Sequence, residues 1–157
     1  MNNKAKTVCF SGHRALYDSK DEIENRLEKA IRQCITNGAE IFMAGGALGF
    51  DTLAARTVLR LKKEFPKIRL VLALPCPPEE QTLKWTNQQR CEYQEILEQA
   101  DEVITLSPKY LDGCMLERNR YMVNNSVKLI HYLRSDRGGT KYTVKYAKTC
   151  GIELIGL

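Results

Sequence analysis

The strongest constraint on the fold is a regular alternation of apolar, β-rich runs with amphipathic helical segments along the whole chain. Six runs predict strands, at residues 7–11, 40–44, 68–74, 102–106, 127–133 and 152–155. Most of these runs are continuously apolar, which is typical of strands covered on both faces of a parallel sheet. Because parallel strands joined by helices require right-handed crossovers, the sequence predicts an α/β fold with an open, mostly parallel sheet.

The helical segments between the strands carry their own start and stop signals. Ser19 and Glu22 form a capping-box pattern before an apolar stripe that ends at Gly38. Asp51 is predicted to cap a second helix, which Pro66 stops. Three further helices are predicted around residues 93–100, 115–125 and 140–150.

Length and composition narrow the class of protein. The 157 residues predict one domain, residues 1–157, and the net charge of +5 suits an anionic ligand but is too diffuse to indicate nucleic acid. The six cysteines form no zinc-ligand spacing, so no metal and no cofactor is predicted. The longest apolar run, residues 70–75, is too short to span a membrane, and the polar first residues do not form a signal peptide. We therefore expect a cytoplasmic protein without a membrane partner, and the sequence leaves homo-oligomer formation open.

Small and polar residues follow the predicted strands, where open α/β sheets bind their ligands. They lie at residues 11–14, 45–51 and 135–140, and Ser107 follows the fourth strand. Two of these turns are rich in glycine and lead into helix N-termini, whose free N–H groups favour phosphate. The competing interpretation is that these glycines only make tight turns. Two such turns with Arg14 nearby favour a binding site.

The segment from Met115 to Met122 is the most informative helix. Met115, Arg118, Asn119 and Met122 share one face by their spacing. A buried guanidinium needs a partner, so Arg118 is predicted to bind a phosphate or carboxylate, or else a protein acid such as Asp51 or Glu117.

Three other side chains have two interpretations each. Trp85 either stacks a base or fills the core beneath its loop. His13 is predicted to donate to a phosphate, and His131 is predicted to be a satisfied core histidine.

Known phosphate-binding signatures fit poorly. The chain has no Gly-Lys-Ser/Thr run of a Walker loop. The run AGGALG at residues 44–49 follows the second strand rather than the first, and it lacks the first glycine of the GxGxxG fingerprint. ATPase and dehydrogenase functions are therefore not favoured.

Several motifs together resemble the SLOG superfamily, which joins the DNA-processing protein Smf/DprA with the LOG (Lonely Guy) proteins, and most closely its YpsA/YspA-like branch. They are CFSGHR at 9–14, GGALGFD at 45–51, Trp85, ADEV at 100–103, RNRYMVNNS at 118–126 and GGTKYTVKYA at 138–147. The resemblance covers nearly the whole chain. It implies a single Rossmann-like three-layer domain that binds nucleotides or nucleotide-derived ligands.

Two motifs within the superfamily are matched only in part. Residues 115–122 resemble the Met-x-x-Arg-Lys motif of LOG phosphoribohydrolases, in which Arg118 matches the ligand-contacting arginine and Asn119 departs from the lysine. Gly139 and Thr140 match the Gly-Thr of the PGGxGTxxE motif, whose glutamate falls at Thr143. Residues 46–51 are similar to the DprA motif GxARGxD, with Leu48 at the arginine position.

The favoured function is binding of a nucleotide or nucleotide-derived small molecule at the carboxyl ends of the strands, as a sensing or sequestering module. The alternatives are a nucleotide N-glycosidic hydrolase and single-stranded DNA binding, and whether the chain is an enzyme is left open. The residues predicted to contact the ligand are Ser11, Gly12, His13, Arg14, Gly45, Gly46, Gly49, Asp51, Trp85, Ser107, Arg118, Asn119, Gly138, Gly139 and Thr140.

Overall fold

The computed structural model describes residues 3–157. Six strands form one sheet: β1 (Thr7–Gly12), β2 (Ile41–Ala44), β3 (Arg69–Leu74), β4 (Glu102–Thr105), β5 (Lys128–Tyr132) and β6 (Glu153–Gly156). Their order in the sheet is β4-β3-β2-β1-β5-β6, and every neighbouring pair is parallel. The predicted α/β fold is confirmed, and the sheet is parallel throughout.

Helices cover both faces of this sheet. They are α1 (Lys20–Thr36), α2 (Phe50–Lys62), α3 (Pro78–Gln81), α4 (Asn87–Gln99), α5 (Cys114–Asn124) and α6 (Gly139–Thr149). One apolar cluster joins the sheet to α1, α2 and α4, and a second joins its other face to α5 and α6. The protein therefore has three layers, with a core on each side of the sheet.

The first helix forms as its sequence predicts. The Ser19 hydroxyl accepts the backbone N–H of Glu22 at 3.2 Å, which satisfies one of the free donors at the start of α1. Ile23, Leu27 and Ile31, which recur on one face, are all buried against the sheet.

The start of α2 differs from the prediction, because Gly49 and not Asp51 is its N-cap. Gly49 has a φ of 79°, and a Cβ there would overlap the backbone carbonyl of Arg14. The Phe50 N–H donates to the carbonyl of His13 at 3.1 Å, so the two loops are in direct backbone contact. Only glycine fits at this junction, and Asp51 is displaced into the first turn of the helix.

The position of β1 determines where a ligand can bind. From β1 the chain adds β2, β3 and β4 on one side, and it then crosses to add β5 and β6 on the other. The connections after β1 and β5 therefore lead away from each other and leave a crevice between their carboxyl ends.

Candidate functional site

A cleft of about 310 Å³ lies at this crevice between β1 and β5. Ten of the fifteen predicted ligand-contacting residues line it. They are Ser11, Gly12, His13, Arg14, Asp51, Arg118, Asn119, Gly138, Gly139 and Thr140. Phe10, Ala47, Met115 and Met122 complete the lining.

The N-terminus of α6 forms one wall of the cleft. Its N-cap is Gly138, which has a φ of 93°. A Cβ at this position would contact no other atom within 4 Å. The first N–H of the helix that finds a helical acceptor is that of Tyr142, which donates to the carbonyl of Gly138 at 3.3 Å. The preceding N–H groups have no intrahelical acceptor and no side-chain cap, so this wall offers donors and the positive end of a helix dipole.

Three polar side chains in the cleft are more than nine-tenths buried and still lack a partner. The Ser11 hydroxyl, the Asn119 amide nitrogen and the Thr140 hydroxyl make no hydrogen bond within residues 3–157, although these residues are only 6%, 8% and 5% exposed. The unpaired atoms themselves open into the cleft, because the one fully enclosed side-chain polar atom without a partner among the described residues is Nδ1 of His131. They are satisfied most simply by a ligand or by water.

Arg118 has protein carbonyls as partners. Its Nη1 donates to the carbonyls of Gly45 and, at 3.4 Å, Ala73, and its Nε donates to the Asn119 side-chain oxygen at 2.8 Å. A Cβ at Gly45 would lie 2.6 Å from Arg118 Nη1 and 2.9 Å from Asp51 Oδ2, so a larger residue there would displace both side-chain ends. The sequence predicted a bound anion or a protein acid as the partner of Arg118, and it did not predict these carbonyls.

Arg118 also fixes how Asn119 faces the cleft. Because the guanidinium can only donate, the Asn119 atom that meets it must be the amide oxygen. The amide nitrogen is thereby left as a donor, and a Cβ on Gly139 would lie 3.5 Å from it. Arg118 therefore positions a neutral donor beside the start of α6.

Asp51 is the one carboxylic acid among the cleft-lining residues. Its side chain accepts the N–H of Ala47 at 3.2 Å. Burial raises the pKa of Asp51 to about 6, and the positive charge of Arg118 and the Ala47 hydrogen bond only partly oppose that rise. The charges of Asp51 and Arg118 interact, but the two side chains are not close enough to form an ion pair.

His13 and Arg14 differ in how freely they can reach a ligand. The Nε2 atom of His13 accepts the backbone N–H of Arg134 at 2.8 Å, which ties the loop after β1 to the loop after β5. Burial and the charge of Arg134 lower the pKa of His13, so its ring is neutral at neutral pH. Arg14 is exposed, forms no ion pair within residues 3–157 and borders the cleft.

Five predicted contacts lie outside the cleft. Gly45, Gly46 and Gly49 make room for neighbouring protein atoms, so the tight-turn interpretation holds for this turn. Trp85 is 9% exposed and packs against Tyr93, with 5.1 Å between ring centroids. The Ser107 hydroxyl donates to the carbonyl of Lys109, and β4, which Ser107 follows, is separated from β1 by β3 and β2.

Other expectations from the sequence have mixed outcomes. Met115 and Met122 line the cleft, and their shared face with Arg118 and Asn119 was the signal that could have placed them there. His131 was predicted to be a satisfied core histidine, but its buried Nδ1 has no hydrogen-bond partner in the described part of the chain.

In residues 3–157 no helix is long and apolar enough to cross a membrane, and no group of three or more His, Cys, Asp or Glu is placed to hold a metal ion.

The architecture and its crevice define a Rossmann-like α/β protein similar to DNA processing protein A (DprA). DprA from Streptococcus pneumoniae superposes with a TM-score of 0.71 at 18% identity, over 96% of this chain and 49% of that one. DprA from Helicobacter pylori gives 0.66 at 20% identity, over 96% of this chain and 64% of that one. The chain thus spans about half to two-thirds of these proteins, and at such identities the likeness shows the fold alone.

Residues 10–152 match the YspA SLOG family, and the chain belongs to that family. It is 29% identical over 140 residues to the SPbeta prophage-derived protein YoqJ of Bacillus subtilis, covering 81% of each chain. It is 33% identical over 129 residues to UPF0398 protein BH1768 of Halalkalibacterium halodurans, covering 80% of this chain and 67% of that one. The resemblance inferred from the motifs is confirmed.

Proposed function

We propose that this protein binds a nucleotide or nucleotide-derived small molecule in the cleft between β1 and β5, as a sensing or sequestering module. The phosphate lies at the start of α6, where backbone N–H groups, Asn119 and Thr140 donate to it. The observation that carries the proposal is the set of three largely buried side chains whose unpaired polar atoms open into the cleft, because each of these atoms is able to donate to a phosphate.

Binding without turnover is favoured over glycosidic hydrolysis. Thr143 stands where LOG enzymes have glutamate, and its hydroxyl donates to the carbonyl of Gly139 at 2.7 Å instead of facing the cleft. A hydroxyl cannot replace a carboxylate that supports an oxocarbenium-like transition state. Asp51 is the remaining acid, so release of ribose 5-phosphate from AMP that is lost in Asp51→Asn would replace binding by hydrolysis as the function.

The proposal is tested by calorimetric titration of AMP, ADP and GMP into the wild type and Thr140→Val. Valine keeps the shape of threonine and removes only a hydroxyl that has no partner within residues 3–157. We expect the Kd of the bound nucleotide to rise about tenfold, as for a lost hydrogen bond to a charged group.

Thr149→Val is the matched control, because it makes the same change at the other end of α6, where the hydroxyl donates to the carbonyl of Tyr146. It should leave the Kd unchanged. Failure of all three nucleotides to bind the wild type, or equal affinities for the wild type and Thr140→Val, would refute the proposal.

Single-stranded DNA is a second candidate, favoured by the fold shared with H. pylori DprA, whose structure is described as showing a single-stranded DNA binding mode. The position that corresponds to the DprA arginine is Leu48, which brings no charge. A labelled oligonucleotide titrated at physiological salt separates the two candidates. Tight binding of the oligonucleotide at physiological salt would favour single-stranded DNA over a nucleotide as the ligand.

A further inference from the structure

We propose that a second groove beside the cleft holds the heteroaromatic ring of the bound nucleotide. This Tyr110 groove, of about 530 Å³, has apolar walls made by Leu48, Leu83, Trp85, Tyr110 and Met115. The inference rests on the proposed function, and it assigns the base, where that function assigns only the phosphate.

The groove adjoins the cleft, because Arg14 and Met115 line both. Arg14 has no ion pair within residues 3–157, so its guanidinium is free to meet a group that passes from one space to the other. A ligand with a phosphorylated end in the cleft and a second end in the groove would lie across Arg14. A nucleotide has two such ends joined by a sugar.

Two of the groove's side chains are large and hydrophobic but exposed to solvent, and a bound ring would account for their exposure. Leu83 is 71% exposed and Tyr110 is 55% exposed, whereas Trp85 forms a buried floor held by Tyr93. Tyr110 is held in place, because its backbone N–H donates to Glu80 of α3 at 2.6 Å. An aromatic ring resting between Tyr110 and the apolar floor would remove both exposed side chains from water.

Polar atoms at the rim favour a heteroaromatic ring over an alkyl chain. The Gln89 side-chain oxygen accepts the N–H of Thr86 at 2.9 Å, which leaves the amide nitrogen as a free donor. The Lys84 amine makes no ion pair among the described residues. Two unpaired donors beside an apolar floor suit ring nitrogens and carbonyl oxygens, which a hydrocarbon lacks.

The test compares AMP and GMP with ribose 5-phosphate, which lacks only the base, by calorimetry. In the wild type we expect the nucleotides to bind more tightly than ribose 5-phosphate. Tyr110→Ala and Leu83→Ala should each raise the nucleotide Kd about fivefold or more and leave the ribose 5-phosphate Kd unchanged.

One variant serves as the matched control. Leu111→Ala removes an exposed leucine that is not part of the groove lining. It should bind nucleotide like the wild type, and a loss in Leu111→Ala equal to that in Leu83→Ala would refute the assignment.

The failures of the two proposals are distinguishable. Equal affinity of nucleotide and ribose 5-phosphate, or unchanged nucleotide affinity in Tyr110→Ala and Leu83→Ala, would overturn the groove and leave the phosphate site intact. If neither nucleotide nor ribose 5-phosphate binds the wild type, the proposed function fails and this inference fails with it.

Discussion

Asp51 shows how one buried side chain links the cleft to the stability of the fold. Its carboxyl lies near the Arg118 guanidinium, and its negative charge adds to the effect of burial in raising the pKa of the Cys9 thiol in β1. The pKa of Asp51 itself is about 6, above the ordinary value of 3.8. The folded state therefore holds this proton more tightly than the unfolded state does. The resulting stabilisation is complete below about pH 4 and is lost as the pH rises through 6.

This leads to a prediction for Asp51→Asn, which resembles the protonated acid at every pH. Thermal unfolding should show that the variant gains stability relative to the wild type as the pH rises from 4 to 8, by at most about 3 kcal/mol. His13 and His131, whose pKa values are lowered, act in the opposite direction, but they are present in both proteins and cancel in the comparison. A constant difference across this range would contradict the raised pKa.

At the scale of elements, the start of α2 is the most restrictive junction in the site. Gly49 and Gly113 are both helix N-caps with φ near 80°, yet a Cβ at Gly49 would meet the backbone of Arg14 and one at Gly113 would meet nothing. Their ψ angles also differ: Gly113, at −1°, lies in the left-handed helical region, whereas Gly49, at −120°, lies in a region that only glycine adopts readily.

We therefore expect Gly49→Ala to be more destabilising than Gly113→Ala. The left-handed conformation costs about 1 kcal/mol in Gly113→Ala, whereas the glycine-only conformation and the backbone overlap at Gly49 together cost about 2–4 kcal/mol of the free energy of unfolding. Urea denaturation measures both losses. Equal losses would mean that the chain around Gly49 relaxes its conformation and the overlap without cost.

The same elements show what the sequence could predict. The six strands follow from runs of apolar residues, and the first helix follows from Ser19 and its stripe, since these signals are local. The N-cap of α2 could not be predicted, because it depends on the approach of Arg14 from another loop. For the same reason, helix periodicity cannot identify the two carbonyl partners of Arg118, which are Gly45, directly after β2, and Ala73 in β3.

Strand order explains which predicted site residues lie at the cleft. Residues after β1 and β5 are there because those strands are neighbours, whereas Ser107 follows the distant strand β4. The alternation of strands and helices indicates parallel strands, but it does not indicate their order. That ten of the predicted residues line one cleft therefore follows from the small and polar residues at the strand ends together with the motifs that carry the family resemblance.

At the scale of the whole molecule, the predicted response to salt separates the two candidate ligands. The phosphate in our proposal meets mainly neutral donors and one exposed arginine, while the net charge of +5 is spread over the surface. Nucleotide affinity should fall about tenfold or less between 50 and 200 mM salt, because few counterions are released.

An oligonucleotide releases counterions from many phosphates when a protein binds it, so it loses affinity far more steeply over that range. Parallel titrations of AMP and a labelled single strand at both salt concentrations measure the contrast. A steep fall for AMP would mean that cations, and not the amide and hydroxyl donors, hold its phosphate.

The central position of β1 also sets the order in which the site can come into being during synthesis. The strand made first acquires a neighbour on one side as soon as β2 emerges, but its other edge waits until β5 leaves the ribosome. A nascent chain that ends before residue 128 already carries the loop after β1, with an open strand edge where the cleft will be. The proposed site is thus incomplete in an unfinished chain, because pairing of β5 with the open edge of β1 is also the step that forms the cleft.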